Sequence, residues 1–153
     1  MTSVLFVCLG NICRSPTAEG VFRAMAAQAG ADVATDSAGT ASWHRGKSPD
    51  PRSQAAAAAA GYPIDDLRAR QVSTEDFHRF DYILAMDQSN FDDLEALRPA
   101  DSTAKLSLFL SHCDEPATEV PDPYYGEADG FAEVIRLVEK ASAGLLQDIT
   151  SRS

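Results

Sequence analysis

One stretch, Val4-Leu-Phe-Val-Cys8-Leu-Gly-Asn-Ile-Cys13-Arg14-Ser15-Pro16, limits the folds open to this chain more than any other. Val4, Leu5, Phe6 and Val7 form a short apolar run with β-branched and aromatic members, the pattern of a strand buried on both faces of a parallel sheet. Ser15 and Pro16 have the chemistry of an N-cap and a first helical residue. Beyond them Ala18, Val21, Phe22, Met25 and Ala29 recur at helical spacing, and Gly30 offers a stop. A strand, a tight loop and a helix N-terminus in succession make a place for an anion, because loop amides turn inward and the helix dipole adds positive charge. Cys8 lies beneath that anion. Arg14 supplies a permanently charged planar fork that can grip two oxygens of a phosphate. The loop between them is Leu9, Gly10, Asn11, Ile12 and Cys13, in which Gly10 and Asn11 most readily take left-handed backbone angles. The same donors suit sulfur held as the nucleophilic thiolate. Two other readings compete: a buried structural Cys8 beside a surface Arg14, and a metal site on Cys8 and Cys13. The metal site lacks a histidine nearby in sequence and a second cysteine pair.

The remainder alternates strands and helices. Val33 and Ala34 mark a second strand over residues 32–37, and strand, helix, strand in sequence favours a right-handed parallel crossover. Residues 39–50 hold turn formers around Trp43, and a tryptophan on such a loop has little core to join. Asp50-Pro51 repeats the cap chemistry ahead of an alanine-rich helix over 54–60. A short helix is expected after Ser73, a third strand over 82–86, a helix capped by Asp87, and a fourth strand over 106–110. Cys113 reads as an incidental thiol. In Pro121-Asp-Pro-Tyr-Tyr-Gly126, prolines restrict the backbone on both sides of Asp122, which suits a general acid, although Asp-Pro alone is a common turn. Phe131, Val134, Ile135, Val138, Ala141 and Leu145 then describe one face of a closing helix. This order implies a three-layer α/β/α domain with a four-stranded parallel sheet, its phosphate-binding loop between the first strand and first helix. Ligands sit at the carboxyl ends of such strands.

At 153 residues with 44% hydrophobic content, one domain over 1–153 with a proper core is expected. The net charge of −10 argues against nucleic acid as a partner. Neither a long apolar segment nor a charged leader is present, so no membrane span is expected and the cytoplasm is the default location. Three cysteines, an odd number, fit a reducing compartment rather than a disulfide framework. An acidic chain that binds a phosphate dianion must make its site locally positive. Arg14 and the helix end can do this within the cleft, and the basic stretch His44-Arg-Gly-Lys47 can contribute at its rim.

Cys8-Leu-Gly-Asn-Ile-Cys-Arg-Ser15 followed far downstream by Asp122-Pro-Tyr-Tyr125 resembles the low-molecular-weight protein tyrosine phosphatase family. The likeness extends to Asp36-Ser-Ala-Gly39, Trp43, Asp50-Pro-Arg52, Ala69-Arg-Gln71, Asp81-Tyr-Ile-Leu84 and Met86-Asp87. It implies a phosphotyrosine phosphatase that works through a cysteinyl-phosphate and needs no metal or other cofactor. Cys8 would be the nucleophile, Arg14 the phosphate ligand and Asp122 the acid and then base. Ser15 would stabilise the departing thiolate, and Trp43, Tyr124 and Tyr125 would wall the cleft. The implied partners are phosphotyrosine proteins or small aryl phosphates, and a tyrosine kinase acting on Tyr124 or Tyr125. In the family, the serine matching Ser37 hydrogen-bonds the loop asparagine, here Asn11, and the aspartate matching Asp87 is structural. One departure stands out: many members carry a histidine that supports the asparagine where this chain has Leu67, which leaves Asn11 to Ser37 alone or to water. Cys13 is close enough in sequence to trap an oxidised Cys8 as a disulfide. A thiol-dependent arsenate reductase shares the fold and loop but needs a relay of cysteines, for which only Cys13 and Cys113 remain. A non-catalytic phosphotyrosine-binding module is the reading from outside enzymology.

Overall fold

The computed structural model describes residues 1–123 and 128–151. The apolar run near the N-terminus forms β1 (Thr2–Cys8), followed by α1 (Arg14–Gln28), β2 (Val33–Gly39), α2 (Pro51–Ala59) and α3 (Asp76–Arg79). The chain continues through β3 (Tyr82–Ala85), α4 (Gln88–Leu97), β4 (Lys105–Leu108), a 3-10 turn at Phe109–His112 and α5 (Ala128–Thr150). All four strands are parallel, in the order β2-β1-β3-β4. The expected fourth strand over 106–110 is shifted: it ends at Leu108, and Phe109 and Leu110 turn into the core from the 3-10 segment.

β1 is central and, as period-2 alternation requires, serves two cores. Val4, Phe6 and Cys8 face α1 and α5, where Phe6 meets Phe22 and Phe109 with ring centroids 5.5 and 5.1 Å apart. Leu5 and Val7 face the opposite way, toward Phe77 of α3 and Leu94 of α4. Burial on both sides explains why the run is uniformly apolar rather than alternating. The three-layer α/β/α architecture follows directly.

Two helix starts behave as their sequences predict. The Asp50 carboxylate accepts from the Arg52 amide at 2.8 Å with Pro51 at the first turn, and Asp87 accepts from the Asn90 amide at 2.8 Å. The start of α1 does not. Its N-cap is Cys13, with no side-chain cap, and Arg14 already lies within the helix. Ser15 is therefore inside the first turn, its hydroxyl released from capping and drawn to partners described below.

Candidate active site

The loop 9–13 leaves the carboxyl end of β1 and enters α1, so Cys8 and Arg14 stand at its two feet. Asn11 takes the left-handed conformation, φ 58°, and its amide donates to Cys8 Sγ at 3.3 Å. Gly10 does not share that conformation: its glycine character answers to space, since a Cβ there would lie 2.9 Å from His44 Cδ2. The segment after β2 is laced to this loop. Thr40 and Ala41 amides donate to the Cys8 and Leu9 carbonyls at 2.9 Å, and the Asp50 amide donates to Ile12 at 2.8 Å.

Asn11 is the hub of a buried polar network. Its Nδ2 donates to Ser15 Oγ at 2.8 Å and to Ser37 Oγ at 3.0 Å, and its Oδ1 accepts the Arg70 amide at 3.0 Å. Ser37 passes its own hydrogen to Glu19 Oε1 at 2.9 Å. Ser15 Oγ, which accepts from Asn11, lies 3.0 Å from Cys8 Sγ and 3.5 Å from the Ala38 carbonyl, the two partners within reach of its hydroxyl hydrogen. The bond from Asn11 to Ser37 matches the expectation drawn from the family. With Leu67 in place of a histidine, Asn11 does not rest on Ser37 alone: its Oδ1 is held by the Arg70 backbone amide. The Arg70 side chain is held in turn by Asp36 and the buried Asp76, both at 3.0 Å.

Arg14 is buried and locked. Nη1 donates to Asp87 Oδ2 at 2.6 Å and to the Val120 carbonyl at 3.2 Å, while Nη2 lies 3.7 Å from Asp122 Oδ2. Burial works against its charge, but Cys8 and Asp87 outweigh it and hold the guanidinium above its ordinary pKa. Asp87 thus does two structural jobs, capping α4 and aiming Arg14. Burial pushes the Cys13 thiol up to about 12, so it remains a thiol at neutral pH. Burial also raises Glu19, against the opposing pull of the Ser37 hydrogen bond.

Cys8, Leu9, Gly10, Ile12, Cys13 and Arg14 line a cavity of about 280 Å³ together with Trp43, His44 and Asp122. Trp43, 70% exposed, stands at the mouth, as its loop sequence suggested. Tyr124 and Tyr125 lie outside the described residues. Sequence reasoning missed Glu19 and the Arg70 amide, whereas His44, expected at the rim, lines the cavity. Glu19 left a trace, falling four residues after Ser15 and three before Phe22 on a buried helix face.

A parallel α/β sheet carrying a cysteine, an arginine and an amide-edged loop at its carboxyl end defines an α/β protein with an oxyanion cradle against a thiol. A profile described as low molecular weight phosphotyrosine protein phosphatase matches residues 3–153. A low molecular weight protein-tyrosine-phosphatase of Streptomyces coelicolor is 47% identical over 151 residues, spanning 94% of this chain and 90% of its own. The crystal structure of a protein tyrosine phosphatase from Entamoeba histolytica with Hepes in the active site matches with a TM-score of 0.95 and 39% identity, covering 99% of this chain and 98% of that one. YfkJ from Bacillus subtilis matches with a TM-score of 0.93 and 41% identity, covering 100% and 97%. The chain belongs to the low molecular weight phosphotyrosine protein phosphatase family and is a phosphoric monoester hydrolase.

Proposed function

We propose that a single domain over 1–153 hydrolyses aryl phosphate monoesters, phosphotyrosine above all, in two phosphoryl transfers. Cys8 thiolate attacks phosphorus while Arg14 and the loop amides hold the equatorial oxygens. The bond from phosphorus to the aryl oxygen breaks as Asp122 delivers its proton to that oxygen. The Ser15 hydroxyl, 3.0 Å from Cys8 Sγ, is placed to stabilise the thiolate. In the second step Asp122, now a carboxylate, takes a proton from the water that attacks the cysteinyl-phosphate. Cys8 leaves as thiolate and inorganic phosphate is released.

The observation that carries this reading is that Asp122, far from Cys8 and Arg14 in sequence, lines one cavity with them, with apolar walls at Leu9, Ile12 and Trp43 suited to an aromatic ring. On the same reading Tyr124 and Tyr125 are acceptors for a tyrosine kinase, and the protein acts in the cytoplasm. Among the described residues no helix is long and apolar enough to cross a membrane. The test is p-nitrophenyl phosphate turnover by the wild type and Cys8→Ser. The wild type should release phosphate catalytically and the variant should not. Turnover by purified Cys8→Ser would overturn the mechanism.

A further inference from the structure

The reaction at Cys8 uses none of the groups on the β4 side of the sheet, where Ser107 of β4, His112 at the end of the 3-10 turn and Asp148 of α5 converge. His112 Nδ1 lies 2.6 Å from Asp148 Oδ2, and its Nε2 lies 3.1 Å from Ser107 Oγ. A carboxylate only accepts, so Nδ1 carries its hydrogen toward Asp148. With the ring neutral, Nε2 is then the acceptor and the Ser107 hydroxyl the donor. Carboxylate, imidazole and hydroxyl stand in the order in which an imidazole can take a serine proton while the carboxylate holds its tautomer.

The fold builds this arrangement from three separate elements. Ser107 pairs in register with Leu84, which belongs to the core beneath α5, so its side chain is turned toward that helix. A Cβ on Gly144 would fall 1.7 Å from the His112 carbonyl oxygen, so glycine is what lets α5 press this closely on the 3-10 turn. Asp148 follows Gly144 by four residues, about one helical turn along the same face, which brings its carboxylate to the ring. The turn itself is closed by the Ser111 hydroxyl, which donates to the Leu108 carbonyl at 2.6 Å, and by the Cys113 amide, which donates to Leu110 at 3.3 Å. The imidazole is 14% exposed, Asp148 is 48% exposed and Ser107 is half-buried, so the group is shielded without being sealed. The Lys105 amide donates toward β3, to the Asp81 carbonyl at 2.8 Å. Alternation along the strand then turns the Leu108 amide, next to Ser107, to the open edge, where it can donate to an oxyanion.

We propose that Ser107, His112 and Asp148 form a second nucleophilic centre, one that hydrolyses carboxylic esters. Ser107 Oγ attacks the ester carbonyl as His112 Nε2 takes its proton. The bond to the alcohol oxygen breaks, and His112 gives the proton to that oxygen. Water then attacks the acyl-serine and passes a proton to His112, and Ser107 Oγ leaves and recovers it as the carboxylic acid is released.

This centre does not rest on the phosphatase reading, and its test is separate. The probe is a fluorophosphonate, which phosphonylates an activated serine with loss of fluoride, and peptide mass spectrometry locates the label. Hydrolysis of p-nitrophenyl acetate is followed in a Cys8→Ala background, so that the phosphate-loop thiol does not contribute. In the folded protein Ser107 should be labelled at least about 100-fold faster than in the urea-unfolded chain, the scale of a positioned general base. His112→Gln keeps hydrogen-bonding groups for both neighbours but cannot carry a proton between them. It should lose that advantage together with the esterase activity, and Asp148→Asn, which releases the tautomer, should slow labelling by at least about tenfold. With Cys8 intact, Ser107→Ala and His112→Gln should leave p-nitrophenyl phosphate turnover unchanged, which shows that the fold survives. Labelling of Ser107 no faster in the folded than in the unfolded chain overturns the inference. So does labelling that survives His112→Gln, and a lowered urea midpoint in these variants would then assign the three residues to fastening α5 alone.

Discussion

Asn11 bears two separable burdens, a left-handed backbone and four hydrogen bonds, and substitutions can weigh them against each other. Asn11→Ala removes the acceptor of the part-buried Arg70 amide and both Nδ2 bonds, and forces alanine into φ 58°. An amide left without its acceptor costs about 1–3 kcal/mol, and a left-handed alanine about 1–2 kcal/mol, so a total near 3 kcal/mol is expected once the loop relaxes. Asn11→Gly keeps the hydrogen-bond loss but removes the backbone penalty, partly offset by the greater freedom of the unfolded chain. It should be the milder by about 1 kcal/mol. Urea unfolding measures both losses, and kcat on p-nitrophenyl phosphate reports whether the thiol and amides stay in place. Both variants should lose kcat, because Asn11 orients the amide and hydroxyl that reach Cys8 Sγ. If Asn11→Gly keeps its kcat and stays within about 0.5 kcal/mol of wild type, the side-chain network is idle and the argument from Arg70 fails. If the two variants lose equal stability, the backbone angle carries nothing.

Asp122→Ala should lower kcat far more than it changes KM, most of all for poor leaving groups, because only they need the proton as the bond breaks; a uniform loss across a series of aryl phosphates would remove Asp122 from the role. Peroxide inactivation should be reversed by dithiothreitol in the wild type, as Cys8 sulfenic acid condenses with the Cys13 thiol and releases water. Cys13→Ala should lose that recovery, and equal recovery would refute the pairing. Glu19, raised by burial, favours its protonated form in the folded state, so its contribution to stability is complete below the ordinary glutamate pKa and falls as pH rises through the raised value. Urea midpoints from pH 4 upward should show this fall, and Glu19→Gln should flatten it; identical pH slopes would refute the assignment.

What the sequence disclosed and what it hid divide along a physical line. β1, the loop and the crossover were legible because uniform hydrophobicity, a turn-forming pair and helical spacing are local and contiguous. The Asp50 and Asp87 caps were legible for the same reason. Ser15 was misread as a cap because the capping rule sees only neighbours in sequence. In the fold, a sulfur at 3.0 Å and an amide at 2.8 Å outcompete the helix end for its hydroxyl. The partner of the Asn11 side-chain oxygen could not have been read at all. A histidine's absence at Leu67 is visible, but its replacement is a main-chain N–H, and every residue except proline owns one. Only the turn of residues 69–71 against Gly39, through the Arg70 carbonyl and the Val72 amide at 2.8 Å, brings that donor to Asn11.

The same division explains how so acidic a chain can present a dianion site. Net charge is a sum over the surface, whereas the cradle is made of groups that composition does not count: a backbone amide, a hydroxyl and a helix end. The one full charge among them, Arg14, is buried, and a buried guanidinium without a partner would be costly. Asp87 supplies that partner at 2.6 Å through Nη1, and the more distant Asp122 stands 3.7 Å from Nη2. The two carboxylates therefore differ in kind. Asp87, tied to the Asn90 amide as well, is fixed and can be shared with an incoming phosphate only as a brace. Asp122 is half exposed and stands farther from Arg14, so on the proposed reading an arriving dianion can take over Nη2.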